Sequence, residues 1–348
     1  MNYLNERQIL IMLSNWVQII NSRRSGNNLL IDGYINPGVT PEYVLQQTRS
    51  AVPKISYYKI NSRDVFAIRL KGWRQKIPLL NLILLVLTIC STLFAGTLLA
   101  GFNPLQDFSL IVKGVPFSLT LMLILGVHEL GHFLMAKKNQ VDASLPYFLP
   151  APTFIGTFGA FIKMRAPVQR RRALVEIGAA GPIAGFLIAV PALFVGLSAS
   201  TIMNTPNTVG IKLGESILMK IATWIMYPGL TDAMDIMLHP VAFAAWIGML
   251  VTMLNLLPIG QLDGGHIAYA LLGKWYKKIG WGALGAILIL SIFSANWLIW
   301  AALVYLLTRM RHPPILDSNS PVTKYEKMLG IITLVIFILT FIPVPFQF

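Results

Sequence analysis

The chain has 348 residues, 55% of them hydrophobic and 12% charged, with 28 Lys and Arg against 14 Asp and Glu and a formal net charge of +14. Soluble domains carry roughly a quarter charged residues, so this composition excludes a large soluble enzyme and points to a multi-pass membrane protein. The basic residues sit at the ends of apolar runs, as expected of residues held on the cytoplasmic side of a bilayer, and do not suggest nucleic-acid binding.

Residues 1–72 read as a small cytosolic α/β region. Glu6 to Ile20 fits an amphipathic helix, and Leu29 to Ile35 a strand. Thr40-Pro41-Glu42 marks a helix start, with a cap, a proline in the first turn and an acid near the positive helix end. Lys54 to Ile60 and Asp64 to Leu70 read as two further strands. The first 24 residues show no small-residue cleavage pattern, so insertion is expected to rely on the first span.

Lys71, Arg74 and Lys76 precede that span, Ile77 to Phe102, which is free of charge. It contains Cys90, a lone thiol that cannot form an internal disulfide. The second span runs from Gly114 to Ala136 with Glu129 as its one formal charge, and Lys137 and Lys138 follow. Both basic clusters then lie on the cytoplasmic side. Residues 141–167 are punctuated by Pro146, Pro150, Pro152, Gly156 and Gly159 and read as short strands at the membrane face. Such backbone survives at that depth only when protein or a water-filled cavity shields it.

Arg170, Arg171 and Arg172 return the chain to the cytoplasmic side before a third span, Ala173 to Leu197. Within that span Gly181 and Gly185 form a step that permits close helix contact. Residues 198–238 read as an external loop with an amphipathic helix near Leu213 to Met226. The fourth span is Pro240 to Leu257, followed by Lys274, Lys277 and Lys278. Ile279 to Thr308 fits one long helix or two short ones turning near Asn296; two would place Arg309, Arg311, Lys324 and Lys327 on the cytoplasmic side. The last span is Met328 to Val344. The expected fold is an all-α polytopic membrane protein of six or seven spans over residues 73–348, with a membrane-associated β-segment and the α/β region in front.

His128-Glu129-Leu130-Gly131-His132 is an H-E-x-x-H motif in an apolar helix. Positions i and i+4 share a helix face, so both imidazoles can reach one metal ion, with Glu129 beside them as general base. Ionisable residues inside a membrane segment are costly and mark function. Catalytic zinc takes three protein ligands. Asp263 is the candidate third, as the one carboxylate between Asp235 and Asp317. Pro258 and the pair Gly264-Gly265 break the helix there and could aim it. His266 is the alternative ligand. Asn255 either satisfies backbone freed by Pro258 or stabilises an oxyanion. His239 and His312 precede prolines at span boundaries and read as structural. A metal transporter with the same site would need polar residues in several spans, which are scarce here.

These motifs together resemble the site-2 protease family of intramembrane zinc proteases, in its bacterial and plastid-type branch. The likeness covers about residues 110–275. It rests on His128 to His132, Gly156-Thr157-Phe158-Gly159-Ala160, Gly178-Ala179-Ala180-Gly181-Pro182, and Asn255-Leu256-Leu257-Pro258 running into Leu262-Asp263-Gly264. The resemblance implies a three-helix catalytic core holding one Zn²⁺ through His128, His132 and Asp263. Glu129 would be the base towards zinc-activated water, and Asn255 would help to bind or polarise substrate. It also implies an active site in the cell membrane near the cytoplasmic face, and a transmembrane protein as substrate. A strand edge near residues 150–163 would receive the unwound substrate. No PDZ-like or CBS-like pattern, carried by some members, is present.

Overall fold

The computed structural model describes residues 6–25, 28–49, 51–52, 54–60, 62–69, 78–165, 168, 170–204, 212–231, 234–308, 310, 312–313, 315 and 320–347. Lys71, Arg74, Lys76, Arg309 and Arg311, on which part of the expected topology rests, lie outside the described residues.

The first elements are α1 (Glu6–Leu13), β1 (Val17–Ser25), β2 (Asn28–Ile35), α2 (Pro41–Arg49), β3 (Ile55–Ile60) and β4 (Arg63–Arg69). The four strands form one antiparallel sheet in the order β1-β2-β4-β3. Alternate residues Leu29 and Ile31 of β2, and Phe66 and Ile68 of β4, bury against Ile9 and Leu13 of α1 and Val44 of α2. Asp64 ties the sheet together: its carboxylate accepts from the Ile35 backbone N–H at 2.8 Å and the Tyr57 hydroxyl at 2.7 Å. The helix expected over Glu6 to Ile20 is shorter than its periodicity suggests. It ends at Leu13, and Val17 opens a strand. A bulge between Ile19 and Asn21 breaks the strand's alternation, which lets its apolar residues mimic a helical spacing.

Next come α3 (Leu79–Leu99) and a 3-10 stretch, Phe108–Gly114, that runs directly into α4 (Val115–Lys138). A hairpin of β5 (Tyr147–Pro150) and β6 (Thr157–Phe161) follows, then α5 (Arg171–Ser198). Beyond it lie β7 (Thr201–Asn204), β8 (Lys212–Leu213), α6 (Ile217–Met226), β9 (Met234–Met237), α7 (Pro240–Asn255) and α8 (Asp263–Leu272). The chain closes with α9 (Tyr276–Leu290), α10 (Asn296–Thr308), α11 (Lys324–Thr340) and β10 (Phe346–Gln347). The apolar run from Ile279 to Thr308 is therefore two helices. The helix expected near Leu213 begins only at Ile217, where the Ser216 hydroxyl accepts from the Met219 N–H at 3.1 Å.

Among the described residues, three helices are long and apolar enough to cross a membrane: Leu79–Leu99, Phe108–Lys138 and Arg171–Ser198. Helices α7 and α11 have 16 and 17 residues, and α9 and α10 have 15 and 13. The exposed faces of α3, α4, α5 and α10 are apolar, as Leu82, Val86, Leu119, Leu187 and Ile299 illustrate. Such a continuous apolar surface suits lipid better than water. The expected label all-α is too narrow, because the described residues carry ten strands in four sheets. The pairs β7–β9 and β8–β10 are two to four residues long. That is too short for an alternating pattern to register, yet backbone leaving a helix end still needs partners.

Helices α4, α5 and α7 pack on one another around Leu121, Ile124, Leu193, Trp246, Met249 and Met253. Small residues let the backbones close. A Cβ on Gly131 would lie 2.6 Å from the Ala180 carbonyl oxygen, and one on Gly248 2.8 Å from Ile124. The β5–β6 turn is fixed against α3 by Gly156, whose φ of +79° needs glycine and whose missing Cβ would lie 2.5 Å from the Ser91 carbonyl. Asn81, 5% exposed in the first turn of α3, donates to the Leu145 and Pro146 carbonyls at 3.0 and 2.8 Å, anchoring the approach to β5. Asn81→Ala leaves these carbonyls without that partner and is expected to cost about 1–3 kcal/mol, read as a lowered thermal unfolding midpoint in detergent.

Candidate metal centre

Three side chains from two helices converge on one point. His128 and His132 lie one turn apart on α4 and are 3% and 5% exposed. Their Nε2 atoms are 3.1 Å from each other. Asp263 Oδ2, from the first residue of α8, is 3.2 Å from both. The His132 Nδ1–H donates to the Ile177 carbonyl oxygen at 2.7 Å. A carbonyl only accepts, so this bond fixes the tautomer and leaves the Nε2 lone pair facing His128 and Asp263.

The triangle fits a small divalent cation. A tetrahedral ion with ligands at about 2.05 Å has ligand–ligand edges of about 3.3 Å. The observed edges of 3.1, 3.2 and 3.2 Å are close to that value. With the ring neutral and its proton on Nδ1, His132 offers its Nε2 lone pair along both of its edges, and a cation among the three atoms satisfies every edge. Two imidazoles and a carboxylate are also the donor set that zinc favours.

The space for these rings is built into α5. A Cβ on Gly181 would overlap the His132 ring, and one on Gly185 would lie 3.1 Å from His128 Nδ1. Close helix contact is thus the means, and seating the imidazoles is the result. Pro182, inside the same helix, has no N–H to give Gly178 and loosens the backbone ladder beside the Ile177 carbonyl. Asp263 is aimed by its own glycines. A Cβ on Gly264 would overlap the Leu256 carbonyl, and one on Gly265 would lie 2.5 Å from the Gly260 carbonyl. The N-terminus of α8 therefore sits directly on the turn that leaves α7.

Glu129 is 5% exposed. One of its carboxylate oxygens and the two histidine nitrogens lie within 4.8 Å of one another. It is therefore near the triangle, while Asp263 forms its third corner. The Ile162 backbone N–H, just past β6, lies near the Glu129 carboxylate, and both residues line the same cavity. A cavity of about 180 Å³ opens beside the cluster, lined by Glu129, His132, Asn255, Gln261, Asp263 and His266 among others. Asn255, the last residue of α7, thus faces the same space as the acid and the imidazole–carboxylate cluster.

His266 has another neighbour. Its Nδ1 is 2.6 Å from His312 Nε2, and the Tyr269 ring stacks on His312 with centroids 4.1 Å apart. The His312 Nδ1–H donates to the Pro313 carbonyl at 2.6 Å, so its Nε2 accepts and His266 donates. Burial holds the His312 imidazole below its usual range. His239 caps α7, accepting from the Val241 N–H at 3.3 Å. The sequence reading missed the Ile177 carbonyl and the Ile162 N–H, which are backbone groups without a sequence signature.

Residues 116–293 match the profile of peptidase family M50. The chain is 33% identical over 259 residues to a protein of Arabidopsis thaliana named "Probable zinc metalloprotease EGY2, chloroplastic", covering 72% of this chain and 45% of that one. It is 28% identical over 321 residues to the protein of the same name from Oryza sativa subsp. indica, covering 89% and 54%. To "Probable zinc metalloprotease EGY1, chloroplastic" of Arabidopsis thaliana it is 31% identical over 251 residues, covering 68% and 44%. The chain spans about half the length of these curated relatives. No solved structure matches it.

Because a Cβ at position 181 invades the His132 ring, Gly181→Ala is expected to lower bound divalent metal about 10-fold or more. On α4 itself, a Cβ at Gly126 meets only the tip of Phe148 at 3.9 Å, so Gly126→Ala should retain the metal. Elemental analysis of the purified variants compares the two.

Proposed function

The chain belongs to peptidase family M50, and from that premise we propose that it is an intramembrane zinc endopeptidase acting on peptide bonds in or near transmembrane segments of membrane proteins. The observation that carries this reading is the triangle of His128 Nε2, His132 Nε2 and Asp263 Oδ2, with edges of 3.1–3.2 Å, beside a buried glutamate and a cavity. His128, His132 and Asp263 would hold one Zn²⁺ per chain. Zinc, when bound, supplies Lewis acidity, which acidifies a water and polarises the scissile carbonyl.

The chain's own groups do the rest. Glu129 takes the proton from the attacking water and passes it to the leaving amine. The Ile162 N–H, at the end of β6, lies near that carboxylate in the same cavity. Asn255, facing the same cavity, donates a hydrogen bond to the carbonyl oxygen as charge develops on it. Glu129 and Asp263 thus divide the work, one carrying protons and the other binding the ion. The His132 ring cannot turn away, because its Nδ1–H is committed to Ile177.

A substrate helix hides its amides in its own hydrogen bonds, and lipid offers no replacements. The β5–β6 hairpin leads directly to Ile162 at the cavity, so its edge can pair with an unwound substrate strand beside the reacting groups. The substrate class is a transmembrane protein, such as a single-span regulator or a remnant signal peptide, and no nucleic acid takes part. In this reading α3, α4, α5, α7, α9, α10 and α11 provide six or seven spans. The site opens near the cytoplasmic face of the cell membrane, where the Lys137–Lys138 and Arg170–Arg172 clusters lie. Residues 1–72 form the cytosolic appendage, and residues 73–348 the membrane peptidase.

Glu129→Gln is expected to keep zinc and abolish cleavage of a model single-span substrate; turnover by that variant would remove Glu129 from the role of base. Asp263→Asn is expected to weaken zinc retention about 10- to 100-fold, measured by competition with a chelator. Unchanged affinity would reassign the third ligand.

A further inference from the structure

The geometry points to Arg171 as the residue that sets the position of Asp263, by clamping the far end of α8 onto α5. This inference rests on the zinc peptidase reading. It gives a specific task to one member of the Arg170–Arg172 cluster, whose charge otherwise serves membrane topology.

Helix α8 is a ten-residue helix that starts with the candidate ligand. Its last four carbonyls have no partner within the helix. Arg171, in the first turn of α5, reaches two of them. Its Nε–H donates to the Ala270 carbonyl at 2.7 Å, and one Nη2–H points at the Leu271 carbonyl at 3.5 Å. A cation at this end also opposes the negative pole of the helix. The helix stops just beyond, at Gly273, whose φ is +53°.

The other end of α8 meets α5 at Gly178. A Cβ there would lie 3.2 Å from the Asp263 carbonyl oxygen, the His266 Cβ and the Ile267 side chain. The two helices therefore run antiparallel, and the contacts are in register. Arg171 and Gly178 are seven residues apart on α5, as are Asp263 and Ala270 on α8. Seven residues span about 10.5 Å, close to two turns, on either helix. Gly178 fixes how closely α8 approaches, and Arg171 fixes how far it can slide. A slide would carry Asp263 Oδ2 away from both imidazoles, while their partners Ile177, Gly181 and Gly185 stay on α5. Arg171 is thus a positioning residue, acting on the metal through the placement of one ligand.

The test uses the full-length protein in detergent, loaded with zinc and titrated against a chelator of known affinity. Wild type is compared with Arg171→Ala, Arg171→Lys and Gly178→Ala, with the unfolding midpoint of each recorded after zinc removal. Arg171→Ala and Gly178→Ala are expected to lower zinc affinity about 10- to 100-fold. Arg171→Lys, which keeps a cationic donor, should recover part of the loss. A purely structural role would instead shift the zinc-free midpoint and leave affinity in the folded fraction unchanged; that result, or wild-type affinity in Arg171→Ala, overturns the inference. If Arg171→Ala does not fold, Gly178→Ala decides the matter on the same scale, and unchanged affinity there overturns it equally. A wild type that binds no zinc is a separate failure: it overturns the peptidase reading, and this inference with it.

Discussion

Everything at the centre depends on how closely α5 approaches α4. Two imidazoles sit on one apolar helix, and they can face a common point only if the neighbouring helix leaves room for both rings. Gly181 and Gly185 leave that room, and the Ile177 carbonyl one turn earlier accepts a hydrogen bond from the His132 Nδ1–H. In lipid, association between helices gains little from hydrophobic burial and relies on close packing and hydrogen bonds. Here the same glycine-bearing face provides both the packing and the seat for the histidines. Stability and site geometry therefore share one set of contacts.

The second constraint is electrostatic. Glu129, His128, His132 and Asp263 lie among apolar helices, where unpaired polar groups are expensive. Each faces at least one other polar group. The rings and Asp263 face one another, His132 also bonds Ile177, and the Ile162 N–H lies near Glu129. The acid therefore lies beside the end of the β5–β6 hairpin. The hairpin is itself tied to α3 through Asn81 and through the Ser91 hydroxyl, which donates to the Gly156 carbonyl at 2.6 Å. A strand bound along that hairpin would thus lie within one residue of Ile162, which lines the cavity with Glu129.

Much of this was legible in the sequence because the signals are local or scarce. The i and i+4 histidines announce a shared helix face, and Asp263 stands alone among carboxylates across a long stretch of chain. Charge-free runs delimit α3, α4 and α5 to within a few residues. Strand β1 was hidden because its bulge disguises the alternation. The short pairs β7–β9 and β8–β10 carry too few residues for any pattern. The glycines of α5 were visible as packing residues, but what they accommodate depends on a helix more than 40 residues away in sequence. The pairing of His266 with His312, and the reach of Arg171 to Ala270, likewise join segments that only the fold brings together.

The central claim is that two imidazoles and one carboxylate from α4 and α8 bind a single zinc ion and leave a position open. X-ray absorption at the zinc edge of the purified full-length protein tests it directly. The account predicts one zinc per chain, four light-atom ligands at about 2.0–2.1 Å, and the multiple scattering of two histidine rings. A sulfur shell, a single-ring signal, or a spectrum unchanged when Asp263 is replaced by alanine would contradict it.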